Sequence, residues 1–213
     1  MSNDFQINYS TGFTGIRVIG KTVFATKWTI SSEVIVTEDV SGEEINISFN
    51  KLDYFFNTVS TSIFFCIDNK WAEKAFRQTN NNLVVCPTEP SDENLVLMFQ
   101  CKMNALSEGG VHLGSVKLLS DTSGGLEFIF HGDGREWLPP ADEWLGDVRY
   151  FPVSWWMRND LTTRDERVRC KGKMDLLPPW YAGFDVYDEV PKKKKAEVLR
   201  PIFKPVVIDG IKE

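Results

Sequence analysis

The sequence predicts an α+β, β-rich fold: two antiparallel four-stranded units, each followed by a helix, and a Trp/Pro-rich C-terminal extension. Three observations predict it. Short β-branched and aromatic runs come in two sets of four, separated by turn dipeptides. A helical repeat of apolar residues follows the first set, and a proline-started segment follows the second. Beyond Leu145, prolines and tryptophans replace the strand pattern.

The first set covers 16–19, 22–30, 33–38 and 44–49, divided by Gly20-Lys21, Ser31-Ser32 and Ser41-Gly42. In the fourth run Ile45, Ile47 and Phe49 alternate with Glu44, Asn46 and Ser48, the period of a half-buried strand. Asn50 then offers an N-cap to a helix that repeats Leu52, Phe55, Phe56 and Val59. The apolar run 62–68 reads as a central strand or as the end of that helix, and 70–78 as a short amphipathic helix. The second set covers 83–86, 95–106, 111–119 and 126–131, with Gly109-Gly110 and Gly124-Gly125 at turns, and Pro140 opens the second helix. The predicted organisation is a compact body over 1–146, an aromatic and basic segment packed on it over 147–190, and an extended basic arm over 191–213.

Hydrophobic residues at 42% and charged residues at 25% supply a core without disulfide or metal. No apolar run approaches the roughly 18 residues that cross a bilayer, and residues 1–9 lack the basic flank and apolar centre of a signal peptide. An intracellular, cytoplasmic protein with no membrane partner is expected. Cys66, Cys86, Cys101 and Cys170 form no CxxC pair, so free buried thiols are expected, with no metal and no cofactor. The net charge of −6 is uneven: residues 1–146 carry 10 basic against 19 acidic side chains, and 147–213 carry 14 against 11. An acidic body repels phosphate, so any affinity for nucleic acid must lie in local patches and the C-terminal region.

Gly15-Ile16-Arg17-Val18-Ile19-Gly20-Lys21-Thr22 fits GxxxxGK[ST], the loop that cradles nucleotide phosphates. Its flanks contradict that use. A P-loop follows a buried strand and opens a helix, whereas 1–14 is polar and 23–30 is strand-like, so a hairpin is expected. The only histidines are His112 and His131, and no GxSxG elbow exists. The stretch 131–136 (His-Gly-Asp-Gly-Arg-Glu) would concentrate an imidazole, carboxylates and a guanidinium at one strand end, but tight-turn chemistry explains the same residues, and no catalytic residue or enzyme activity is expected.

The order of strands, helix, strands and helix from Ile16 to Leu145 resembles the architecture of PUR-type and Whirly-type single-stranded nucleic-acid-binding proteins, through element order and not through a sequence motif. The composition of the C-terminal region suits that class. Trp155 and Trp156 would stack on unpaired bases, while Arg158, Arg164, Arg167, Arg169, Lys171 and Lys173 would hold phosphates. Lys27, Lys102 and Lys117, with Arg17, Gln100 and Asn104, would extend the surface if they share a face. The expected function is non-catalytic binding of single-stranded RNA or DNA, RNA favoured. The alternative is a protein-interaction or assembly factor that docks a partner, or a second copy of itself, through the aromatic segment and an arm carrying Lys192, Lys193, Lys194, Lys195, Ile202 and Phe203. P-loop nucleotide binding stands third.

Overall fold

A computed structural model describes residues 5–37, 39–76, 82–107, 111–144 and 151–165. The chain divides into units spanning Met1–Pro178 and Pro179–Glu213, and every described residue belongs to the first. It is an α+β unit built on one six-stranded mixed sheet, not on two four-stranded units. The strands are β1 (Phe5–Ile19), β2 (Thr22–Val36), β3 (Ser62–Cys66), β4 (Leu83–Cys86), β5 (His112–Ser120) and β6 (Glu127–His131), in the order β4-β3-β1-β2-β5-β6. The helices are α1 (Gly42–Val59), α2 (Lys70–Phe76), α3 (Asp92–Leu106) and the single turn α4 (Ala141–Trp144).

β1 and β2 form one long hairpin, paired from Ile19↔Thr22 to Phe5↔Val36, around a turn in which Gly20 takes φ +57. The GxxxxGKT string is therefore strand, turn and strand, and its amides serve a ladder instead of a phosphate. Ser31-Ser32, expected to end a strand, stays inside β2. Ser32 pairs with Val116, and its hydroxyl donates to the Ser115 carbonyl at 2.7 Å, so a turn-type residue is satisfied within the sheet.

The expected fourth strand over 44–49 is helix. Ser41 caps α1 by accepting from the Glu44 amide while the Glu44 carboxylate accepts from the Ser41 amide, a capping box nine residues before the predicted cap at Asn50. The expected strand over 95–106 is also helix, because Ser91 caps α3 and Asp92 and Glu93 fill its first turn.

Strand alternation sorts the sheet into two faces. Phe13, Trp28, Ile30, Val34, Phe64, Val84, Val116 and Leu118 point to the side covered by α1 and α3. There Phe13 stacks on Trp28 at 5.2 Å and on Phe56 at 5.3 Å, and meets the Phe99 edge at 5.3 Å. Each ring removes about 150–250 Å² from water, worth several kcal/mol at roughly 25 cal/mol per Å². The alternate residues Val18, Ile63, Phe65 and Leu83 pack with Ala72 of α2 on the opposite face. Among the described residues no helix is long and apolar enough to cross a membrane.

Candidate functional site

The segment from Phe151 to Asp165 is fastened to α3 and β4. The Trp155 indole donates to the Val85 carbonyl at 2.8 Å, the Val85 amide donates to the Thr163 carbonyl at 3.1 Å, and the Thr163 hydroxyl donates to the Leu83 carbonyl at 2.8 Å. The edge of β4 is thereby closed. Trp155 and Trp156 are 0% and 1% exposed, and Trp156 stacks on Trp144 at 5.1 Å. Rings buried this way offer no face to a base.

Charges in this segment turn inward as well. Arg158 donates from Nε to Asp160, from Nη1 to the Val153 carbonyl and Asp165, and from Nη2 to Thr162 and the Arg164 carbonyl. Its guanidinium also lies over the Phe151 ring at 4.4 Å. Lys102, on α3, is fully buried, and its ammonium donates to the carbonyls of Trp155, Arg158 and Asp160. Neither cation is available to a phosphate backbone. Arg164 is half-buried.

Lys27 and Lys117 lie on the sheet face opposite α1 and α3, the first exposed and the second half-buried, while Arg17 turns inward to pair with Asp92. Gln100 and Asn104 belong to α3, so the group does not share a face. Arg167, Arg169, Lys171, Lys173, Lys192, Lys193, Lys194, Lys195, Ile202, Phe203 and Cys170 lie outside the described residues. Cys66, Cys86 and Cys101 are free and buried. Among the described residues no three acidic, His or Cys side chains gather in a way that would hold a metal.

Burial pushes the Asp165 carboxyl up to about 6, outweighing the Arg158 guanidinium, which favours the ionised form. Its Oδ2 is buried without a hydrogen-bond partner, the place for that proton. In the folded state the group keeps its proton between pH 3.8 and about 6, where the unfolded chain releases it. Its contribution to stability is therefore complete below that window and is lost as pH rises through it. Asp165→Asn imitates the protonated form. The stability of this variant relative to the parent should rise by about 2–3 kcal/mol as pH passes through the window and level off above it, measured by urea unfolding at stepped pH. A pH-independent difference would show that Asp165 is ionised throughout.

A cleft of about 1120 Å³ opens where the start of β5, the turn after β6, the C-terminal half of α3 and the 151–160 segment meet. Its walls include Val111, Leu113, Pro152, Val153 and Met157, and its polar groups include His112, Asp133 and Arg135. The antiparallel pairing of β5 and β6, with Ser115 opposite His131, carries His112 to the level of Asp133. The hydrogen bond from Arg135 leads the effects that hold the Asp133 carboxyl below its ordinary range, and the charge of His112 adds to them. Arg135 reaches Asp133 from Nε at 2.8 and 2.6 Å and leaves its side chain 63% exposed.

Helix α3 fixes this arrangement. The Gln100 amide donates to the Gly132 carbonyl at 2.9 Å, and its oxygen accepts from the Gly134 amide at 3.1 Å. A Cβ at Gly134 would stand 2.9 Å from Cys101 Sγ, Gln100 Oε1 and the Leu97 carbonyl, so glycine lets the turn close on the helix. The Asn104 side chain accepts from the Leu113 amide at 3.2 Å and pins the start of β5. Cys101 lines the cleft, but burial pushes its thiol up to about 12, so it stays protonated at neutral pH and is a poor nucleophile.

Sequence reasoning placed an imidazole beside Asp133 and Arg135 but took it from His131. The structure supplies His112 instead, and the hairpin register between the two expected strands was the signal that would have found it.

No family description matches the sequence, and no curated protein is similar to it. Among solved structures the chain is similar to an uncharacterised protein from Wolinella succinogenes, at 10% identity and a TM-score of 0.41, over 61% of this chain and 99% of that one. It is also similar to 6-pyruvoyl tetrahydropterin synthase from Plasmodium vivax, at 10% identity and 0.40, over 62% and 99%. The Plasmodium falciparum synthase matches at 12% identity and 0.38, over 62% and 98%. These neighbours are not PUR- or Whirly-type proteins, which corrects the expected resemblance. The expectation of a non-catalytic RNA-binding protein is corrected by the burial of Trp155 and Trp156 and by the inward hydrogen bonds of Lys102 and Arg158. The expectation of no enzyme activity, which followed from it, is not carried further. TM-scores at this level assign no activity to this chain.

Proposed function

We propose that the protein binds a small molecule with an anionic group and an apolar body in the cleft at the open end of the β5–β6 hairpin, and that His112 exchanges a proton with it. The observation that carries this reading is the convergence of His112, Asp133 and Arg135, from two strand ends and a turn, on a cleft with apolar walls. A concave, mostly apolar site with a few convergent polar groups is the usual form of a small-molecule site. Asp133 orients the Arg135 guanidinium through Nε and Nη2, and the side chain, 63% exposed, keeps Nη1 to meet an anion. His112 is the only imidazole of the cluster, the side-chain type most often used for acid or base work.

The probes are benzoate, inorganic phosphate and benzylamine, read by NMR of the histidine imidazoles and by thermal shift. Benzoate should perturb His112 saturably and raise the melting temperature, benzylamine should do neither, and His131, outside the cleft, should be unmoved. Arg135→Ala should weaken benzoate by about tenfold or more, the loss of one charge-assisted contact. An unchanged His112 signal with both anions at millimolar concentration removes the proposal.

A further inference from the structure

The two edges of the sheet are treated differently. β4 is covered by the 162–165 stretch, which bonds to its backbone, whereas among the described residues β6 pairs with β5 alone. β6 lacks the commonest protections of an edge. It carries neither Pro nor Lys, and its ladder to β5 runs from Leu119↔Glu127 to Ser115↔His131 without a bulge. Exposed apolar side chains sit beside it instead: Ile129 is 48% and Leu126 is 66% exposed.

The sequence of this edge is complementary to itself. Glu127-Phe128-Ile129-Phe130-His131 places an acid and an imidazole symmetrically about a central isoleucine, on one face, with the two phenylalanines on the other. We infer that β6 is the seam by which two copies of this chain associate, antiparallel about Ile129. In that register Glu127 lies opposite His131 of the second copy, twice, Ile129 meets its own counterpart, and Leu126 lies over Gly132, which has no side chain to obstruct it. A two-fold axis passes through either kind of antiparallel pair, so the register holds whichever backbone groups of Ile129 face outward. A slip by one residue would set the polar face against the phenylalanines and loses this match. The result is one sheet continued through both copies, with the helices of both on the same side.

The test is the mass of the full chain by light scattering and sedimentation equilibrium at submillimolar concentration, with circular dichroism as the control for folding. The expected mass is twice the 24.3 kDa of one chain. Ile129→Lys sets two like charges on the axis and should leave only monomer. Glu127→Lys should weaken association by about tenfold or more, since it removes both cross-seam acid–imidazole pairs and sets a lysine against each imidazole. Combining it with His131→Glu should restore association, a rescue that general damage to the strand would not give. A monomeric parent, a dimer indifferent to Ile129→Lys, or a double variant no better than Glu127→Lys overturns the inference.

Discussion

Replacing Lys102 by methionine is expected to destabilise the fold by about 3–5 kcal/mol, the scale for removing one partner from a buried charged network. The side chain is fully buried, and its ammonium is a tripod whose hydrogens reach the carbonyls of Trp155, Arg158 and Asp160. Methionine fills the space of the stem but leaves three buried acceptors unsatisfied. Lys102 also helps to hold the Asp160 carboxyl below its ordinary range: burial works to raise it, and Lys102, Thr162 and Arg158 outweigh that effect. Folded proteins hold only about 5–15 kcal/mol in total, so the loss would consume a large share. Urea unfolding followed by tryptophan emission reads it, since Trp155 and Trp156 are released together with the segment. Lys102→Arg should recover little, because a planar fork cannot meet three converging carbonyls. A variant within about 1 kcal/mol of the parent would show that the carbonyls are reached by water.

Asp92→Ala is expected to cost about the same, 3–5 kcal/mol, for a different reason. Asp92 is 5% exposed and accepts from Arg17, from the Trp28 indole at 2.9 Å and from the Ser120 hydroxyl at 2.6 Å. It joins α3 to β1, β2 and β5 beneath the aromatic core. Alanine leaves a guanidinium inside the protein without its counter-charge. The cost should therefore fall by more than about half when Arg17→Met is added, since removing both ions is less damaging than stranding one. Additive losses in the double variant would place the effect in the Trp28 and Ser120 bonds instead.

What the sequence made legible follows from which signals were local. The hairpin turn at Gly20-Lys21, the short strands at 83–86 and 112–120, and the helix from Lys70 were all readable because each depends on its own residues. The misread elements were those in which two periods competed. Ile45, Ile47 and Phe49 alternate like a strand, yet Ile45, Phe49, Leu52 and Phe56 also recur at helical spacing, and the Ser41–Glu44 capping box decides between them. The run of 95–106 is apolar enough to pass as a strand, and Ser91 with its acidic neighbours was the cue to a helix.

The candidate site was legible only in part, because it is made by pairing. Asp133 and Arg135 are adjacent in sequence, but His112 joins them through the β5–β6 register and Gln100 through helix packing. The basic, tryptophan-rich composition around Trp155 misled for a related reason. Composition reports charge and aromaticity but not direction, and here Arg158 and Lys102 point their charges at carbonyls and carboxylates of the protein itself.

The closing of the β4 edge has a consequence during synthesis. Leu83 and Val85 reach their partners Thr163 and Trp155 across 80 and 70 residues of chain. A ribosome that has exposed the whole sheet and all of α3 still holds, in its tunnel or unmade, the stretch that seals that edge. For that interval the growing chain presents a β-branched strand with a bare rim, the kind of surface that chaperones bind and that neighbouring nascent chains pair with. Premature termination just before Trp155 would make that interval permanent, leaving an aggregation-prone product from a chain whose sheet and core helices were already encoded in full.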